Sequence, residues 1–327
     1  MDAARTQSPP DAAISRRSFF AGVGGATLAL GLGGLLFSRQ LDAQYEQLCT
    51  SVDGATGDGA RQRGAKISFS RQGSGPPVLL LHAAGLSRRV WNPVVEILAE
   101  RYDLLVPDIP GFGFSAPLRA TPDVANLTDA VASWLRDIGV ERPHVVGNSL
   151  GGAIALELGF RGAARSVMAL SPIGFWNAVE AAYGCLLVAA AYTFAHWLPV
   201  LATVMTNSGH RPSLLGLFFD QPDDLPVDQL GCALEDMQRS QAFLPTISAA
   251  RSYRVREHQM DIPMTIAWGA NERPLTGLQH QRARRILPEA THMLLPRCGH
   301  IPMMDDPDLV AATIDKAVLA ASARGRA

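Results

Sequence analysis

The stretch His144-Val145-Val146-Gly147-Asn148-Ser149-Leu150-Gly151-Gly152 decides the fold of this chain. The apolar run through Val146 reads as a strand, and the residues from Leu150 to Phe160 read as a helix, so Ser149 falls in the tight turn between them. Such a turn forces its central residue into a strained backbone conformation. The residues two before and two after must lack bulk, which Gly147 and Gly151 supply. The serine hydroxyl then stands clear at the sheet's edge. The backbone N–H of Leu150, at the positive end of the new helix, points where a carbonyl oxygen would gain charge. A serine so placed is a candidate nucleophile; the competing reading is a serine that merely caps a helix in a glycine-rich chain.

Outward from this turn, short apolar runs alternate with longer amphipathic ones. VLLLH, DLLVPD, HVVGNS, Ser166 to Leu170, PMTIAWG and THMLLP read as strands. Trp91 to Arg101, Asn126 to Ile138, Leu150 to Phe160, Leu278 to Ile286 and Pro307 to Ala321 read as helices. That alternation predicts an α/β fold with a mostly parallel sheet flanked by helices. The pattern is interrupted over about 172–261, a segment holding Phe175, Trp176, Tyr183, Tyr192, Phe194, Trp197, Phe218 and Phe219, and this predicts an inserted helical cap. The core then comprises 65–171 and 262–327. Within the insertion, CLLVAAAYTFAHWLPVLATVM is a candidate second membrane span, but His196 and Pro199 interrupt it and it sits mid-fold, which favours cap helices.

Further motifs recur in order: His82-Ala83-Ala84-Gly85 after VLLL, Asp108-Ile109-Pro110-Gly111-Phe112-Gly113-Phe114-Ser115, the serine turn, Trp268-Gly269, and Gly299-His300-Ile301-Pro302. Together they resemble the α/β-hydrolase fold superfamily over roughly residues 65 to 325. The resemblance implies that Ala84 donates the second N–H of the oxyanion hole, beside Leu150, although Ala83 stands where the family usually has glycine. It also implies that His82 pins this loop and that Asp108 is structural.

His300 follows the last strand in a Gly-His-x-Pro loop, from which its imidazole can take the serine proton. The resemblance places the third member after the strand MTIAWG, where the family usually has Gly-x-x-Asp. Here Gly269-Ala270-Asn271-Glu272 offers Glu272, which would accept the imidazole's other N–H. The alternative is a solvated Glu272 paired with Arg273. The order Ser149, Glu272, His300 is the one this fold uses.

Ser15 to Phe37 reads SRRSFFAGVGGATLALGLGGLLF, two adjacent arginines before a glycine-rich apolar stretch, and resembles a twin-arginine export signal. Residues 1–40 are therefore expected to be a signal or an uncleaved membrane anchor that engages the membrane and export machinery, since Leu41-Asp42-Ala43 is a poor cleavage site. Residues 41–64, polar and rich in glycine, read as a linker.

Composition excludes other classes. Hydrophobic residues make up 47% and charged residues 18%, enough apolar material for a large core. Lys plus Arg number 29 against 30 Asp plus Glu, with no basic block to track a phosphate backbone, so nucleic acid is not an expected partner. Cys49, Cys185, Cys232 and Cys298 lack the spacing of a zinc or redox site and read as free thiols. No metal or organic cofactor is called for. The leading function is a serine hydrolase acting on small esters with a hydrophobic acyl or aryl group. Two alternatives stay open: a carbon–carbon bond hydrolase similar to meta-cleavage product hydrolases, and a non-catalytic, membrane-tethered binding protein on a hydrolase scaffold.

Overall fold

The computed structural model of the protein describes residues 56–57, 66–195, 215–259, 261–275 and 278–324, all of them within the unit Val52–Ala327. The expected signal or anchor over 1–40 lies outside the described residues, as do Cys49, Trp197, the side chain of Phe194 and, apart from Thr56–Gly57, the linker 41–64.

The short apolar runs form one eight-stranded sheet. Its strands are β1 (Thr56–Gly57), β2 (Phe69–Gln72), β3 (Pro77–Leu81), β4 (Asp103–Pro107), β5 (His144–Asn148), β6 (Ser166–Leu170), β7 (Met264–Gly269) and β8 (Thr291–Leu295). The order across the sheet is β1-β2-β4-β3-β5-β6-β7-β8. The pairs β1/β2 and β2/β4 are antiparallel and all the others parallel. β2 is missing from the sequence-based reading because FSRQ buries only Phe69 and carries no alternation. It forms through backbone pairing with β4, from Phe69↔Pro107 to Gln72↔Leu104. β5 and β6, by contrast, are buried at every position, as parallel strands covered on both faces must be.

The helices are α1 (Asn92–Leu98), α2 (Val124–Asp137), α3 (Leu150–Phe160), α4 (Ala178–Ala195), α5 (Val227–Arg239), α6 (Phe243–Ala250), α7 (Leu278–Ile286), α8 (Pro302–Asp305) and α9 (Pro307–Arg324). One core cluster gathers Leu127, Val131 and Trp134 of α2 with α3 and one sheet face. The other gathers Val94 and Leu98 of α1 with Val310 and Ile314 of α9. α2 starts where Asp123 Oδ1 accepts the Asn126 N–H at 2.8 Å, a side-chain N-cap. α3 is apolar on every side and is buried from Leu150 to Gly159 except at Glu157, because no face of it can meet water without loss. α4, α5 and α6 lie between β6 and β7 in the chain. Among the described residues no helix is long and apolar enough to cross a membrane. The candidate second span is described only as far as Ala195, as part of α4.

The strand order places the site. From β3 the chain passes to β4 on one side and then returns to β5 on the other. At such a reversal the loops leaving the carboxyl ends diverge and open a crevice. The loop after β3 carries Ala83 and Ala84, and the turn after β5 carries Ser149.

The fit of α3 under that crevice leaves no room at Gly151, where a Cβ would lie 2.6 Å from His82 O and closer still to Leu81 O. Gly151→Ala is expected to destabilise the fold by about 1–3 kcal/mol, read as a fall of several degrees in Tm; an unchanged Tm would show that α3 can retreat from β3 freely.

Candidate active site

Ser149 holds φ 56° and ψ −109°, the left-handed side of backbone space that a β-carbon disfavours. Three backbone hydrogen bonds keep it there. Its N–H donates to Leu170 O at 2.9 Å, and its carbonyl accepts from Ala153 N–H at 3.0 Å and Ile173 N–H at 3.3 Å. A Cβ on Gly147 would collide with Gly151 O. Leu150 opens α3, and N–H groups in a helix's first turn have no intrahelical acceptor, so they remain available to an anion.

The loop after β3 is held by His82, which is wholly buried. Its Nε2 accepts the Ile109 N–H at 2.8 Å, so the ring proton sits on Nδ1 and is donated to Ala83 O, also at 2.8 Å. Protonation would set an Nε2–H against the Ile109 N–H. Burial itself lowers the His82 pKa to about 4, opposed mainly by its bond to Ala83. Asp108 next in this layer accepts from Arg88 N–H at 2.7 Å, the Arg88 guanidinium at 2.6 Å and Phe114 N–H at 3.0 Å. Its oxygens are therefore committed to structure.

His300 and Glu272 meet directly. Nδ1 of His300 lies 2.9 and 3.0 Å from the two Glu272 carboxylate oxygens, and the side chains are 7% and 6% exposed. Glu272 is thus paired with the imidazole and not with solvent, and it also accepts the Leu275 N–H at 3.0 Å. The loop bearing His300 is tied from three directions. Asn148, the residue before Ser149, donates from Nδ2 to His300 O at 2.9 Å and to Leu170 O at 3.1 Å. Phe218 O, in the segment inserted between β6 and β7, accepts the His300 N–H at 2.8 Å. Asp305 accepts Gly299 N–H at 2.7 Å through one oxygen and Asp220 N–H at 3.0 Å through the other. Sequence reasoning missed all three ties; of these, only Asn148 stands in a motif that could have signalled it.

Ser149, Leu150, Ala84 and His300 line one cavity of about 500 Å³. Its other walls are mainly aliphatic, with Leu187 and Val188 of α4, Leu230 and Leu234 of α5, and Ile247 of α6 among them. Of the aromatic residues expected there, Trp176, Phe218 and Phe219 reach it, joined by Phe243. The others do different work: Phe175 packs against Trp268, Tyr192 stacks on Phe243 at 4.4 Å, and Tyr183 is exposed. The loop beyond Ala84 is fastened to α5, where Ser87 Oγ donates to Asp236 Oδ2 at 2.6 Å and Arg89 pairs with Asp236 and with Glu235. Among the described residues no group of three or more His, Cys, Asp or Glu is placed to hold a metal.

A strained serine turn over a parallel sheet, with a buried histidine–carboxylate pair beside it, defines a hydrolase scaffold. The alpha/beta hydrolase family matches residues 78–313, and the chain belongs to that family. An uncharacterized protein of Mycobacterium tuberculosis is 27% identical over 264 residues, 75% of each chain. A pimeloyl-[acyl-carrier protein] methyl ester esterase of Nitrosomonas europaea is 26% identical over 261 residues, 77% of this chain and 99% of its own. Among solved structures, a bacterial membrane phospholipase A matches with a TM-score of 0.68 at 22% identity, over 92% of this chain and 99% of that one; at that identity the likeness shows the fold alone.

The neutral, buried His82 has a consequence for stability. Between pH 6.5 and about 4 the unfolded chain takes up a proton that the native ring excludes. The contribution is complete above 6.5 and is lost as the pH falls through that window. Thermal melts of His82→Gln are expected to show a shallower acid-side loss than wild type over this range, part of the slope remaining because burial lowers His144 to about 4 as well. An unchanged slope would assign the proton uptake to other groups.

Proposed function

We propose that the chain is a serine esterase acting on carboxylic esters with a hydrophobic acyl or aryl group through an acyl-enzyme. The observation that carries this reading is the buried His300–Glu272 pair, at 2.9 and 3.0 Å, opening on the same apolar cavity as Ser149. Ser149 Oγ attacks the ester carbonyl while Nε2 of His300 takes its proton. Glu272 keeps the other ring proton on Nδ1 and stabilises the imidazolium as it forms. The N–H groups of Leu150 and Ala84 receive the oxyanion, each such donor being worth about 10²–10³ in rate. His300 then protonates the departing alcohol, and water, activated by the same imidazole, opens the acyl-enzyme to release the acid.

The wall chemistry supports a neutral acyl group. Among the described residues, every lining side chain apart from Ser149, His300, Thr246 and Cys185 is apolar or glycine, and no lysine or arginine is among them. Residues 172–261 serve in this reading as a cap on the core formed by 65–171 and 262–327. The esterase relative from Nitrosomonas europaea, similar over nearly its whole length, supports ester chemistry. The N-terminal residues 1–40 carry the protein out by a twin-arginine route or hold it at the membrane.

With a chain-length series of p-nitrophenyl esters, Ser149→Ala is expected to lose essentially all turnover. Glu272→Gln is expected to lose about 10³–10⁴-fold in kcat, as a triad whose imidazole is left in the wrong tautomer does. Near-wild-type kcat in Glu272→Gln would remove that residue from the mechanism, and a folded wild type that turns over no ester would overturn the reading. For the N-terminus, replacing Arg16 and Arg17 with lysine is expected to retain the protein in the cytoplasmic fraction; an unaltered distribution would exclude the twin-arginine route.

A further inference from the structure

α6 turns one helical face to the cavity, formed by Phe243, Thr246, Ile247 and Ala250. Their spacing of three, four and seven is one stripe of a helix. Three of the four are apolar, and in the middle stands a single hydroxyl.

That hydroxyl is unlike those of the other described helical threonines. A helical threonine ordinarily satisfies its proton on the carbonyl four residues back. Thr128 does so with Val124 O at 2.6 Å, Thr193 with Ala189 O at 2.9 Å and Thr313 with Leu309 O at 2.7 Å. The equivalent acceptor for Thr246 is Ala242 O, which takes only the Thr246 N–H, at 2.9 Å. Thr246 is 1% exposed and, among the described residues, its Oγ1 has no hydrogen-bond partner. A buried hydroxyl left in this state is unfavourable by the whole cost of its desolvation, so it is tolerated where something else completes it. The other polar side chain of this wall, Cys185, already directs its thiol to Ile247 O at 3.6 Å.

We infer that Thr246 is a polar subsite within the acyl pocket, which binds esters whose hydrophobic acyl chain carries a second, neutral oxygen acceptor such as a ketone carbonyl. This rests on the esterase reading above and narrows it. The oxygen is neutral in this proposal, because among the described residues no cationic side chain lines the cavity to receive a carboxylate. It must accept, because a hydroxyl's unmet need in an apolar wall is an acceptor for its proton. An acyl chain without that oxygen still fills the cavity but leaves the hydroxyl unpaired, which is how a site of this kind discriminates.

The test compares p-nitrophenyl octanoate with isomeric oxo-octanoates whose ketone is moved one carbon at a time toward the methyl end, in wild type, Thr246→Val and Thr246→Ser. At one ketone position Thr246→Val is expected to lose about 3- to 10-fold in kcat/KM, the worth of one neutral hydrogen bond, while octanoate changes by less than about twofold and Thr246→Ser retains the preference. Free of ligand, Thr246→Val is expected to melt at or above the wild-type temperature, since it removes an unpaired buried group. Equal losses on octanoate and every oxo ester, or a lowered melting temperature, would overturn the subsite by showing that the hydroxyl serves the protein's own packing. If wild type turns over no ester at all, the hydrolytic reading fails by itself, and the subsite is then decided by binding. Greater thermal stabilisation of Ser149→Ala by a methyl oxo-octanoate than by methyl octanoate, abolished on adding Thr246→Val, upholds it; equal stabilisation refutes it.

Discussion

The closeness with which the turn at Ser149 is pressed onto the sheet is the constraint on which the rest of the structure depends. No side chain fits at Gly147 or Gly151, and the serine between them is held at φ 56°. A non-glycine residue in such a region costs about 1–3 kcal/mol and persists only where its surroundings over-determine it. Here the surroundings are the Leu170 carbonyl on β6, the Ile173 N–H beyond it, and a helix buried on every side. The energy of burying α3 therefore sustains the strain at its first turn, and that turn is where the hydroxyl and the free N–H groups converge.

The histidine that shares the serine's cavity is held as firmly. His300 stands in a loop with no regular structure of its own, and its position is set by distant groups. Asn148 reaches it from the residue next to Ser149, so the serine and the imidazole are referenced to one strand end. Gly269 lets β7 and this loop approach more closely than any β-carbon would allow, and Gly299 does the same for the loop and the backbone of Phe218 to Asp220. The third reference, Phe218 O, belongs to the inserted segment. The imidazole is consequently oriented both from the sheet and from the residues that wall the cavity.

The parallel sheet was legible because its strands are fully buried and punctuated by turns, and the boundaries of α3, β6 and α7 read from sequence coincide with those observed. β2 was not legible, since its pairing is a backbone property that FSRQ does not advertise. Ser149, Glu272 and His300 stand out in the sequence because each sits in a short motif at a strand end, and the structure brings His300 into contact with Glu272 and onto the same cavity as Ser149. The contacts that position them do not stand out in this way. Arg89 and Asp236 are 147 residues apart, and Asn148 and His300 are 152 apart; no local period records such pairs. The aromatic lining was only partly legible for a related reason: which face of an inserted helix meets the cavity is a matter of tertiary packing, and so Tyr183 of α4 is exposed while Phe243 of α6 lines the cavity.

The inserted helices are attached by different kinds of contact. α5 is fastened to the loop beyond Ala84 by Arg89, Ser87 and Asp236, with Arg89 and Asp236 9% and 3% exposed. Removing one partner of a buried pair of this kind costs about 3–5 kcal/mol. Swinging α5 away would incur that cost and would also disturb the loop that carries the Ala84 N–H. α4 is held differently. Its N-terminal turn is pinned where Glu180 meets Arg282 at 2.8 Å, whereas Ala195 at its far end is tied by one neutral amide bond from Gln238, at 2.7 Å, worth about 1 kcal/mol. Gly184, Val188 and Ala191 of this helix form cavity wall, while Val179, Tyr183 and Leu186 on its other side face outward at helical spacing with no core to hold them. α5 is thus fastened by buried charge pairs, whereas the C-terminal half of α4 meets its neighbours through the Gln238 amide and the stack of Tyr192 on Phe243, among other contacts.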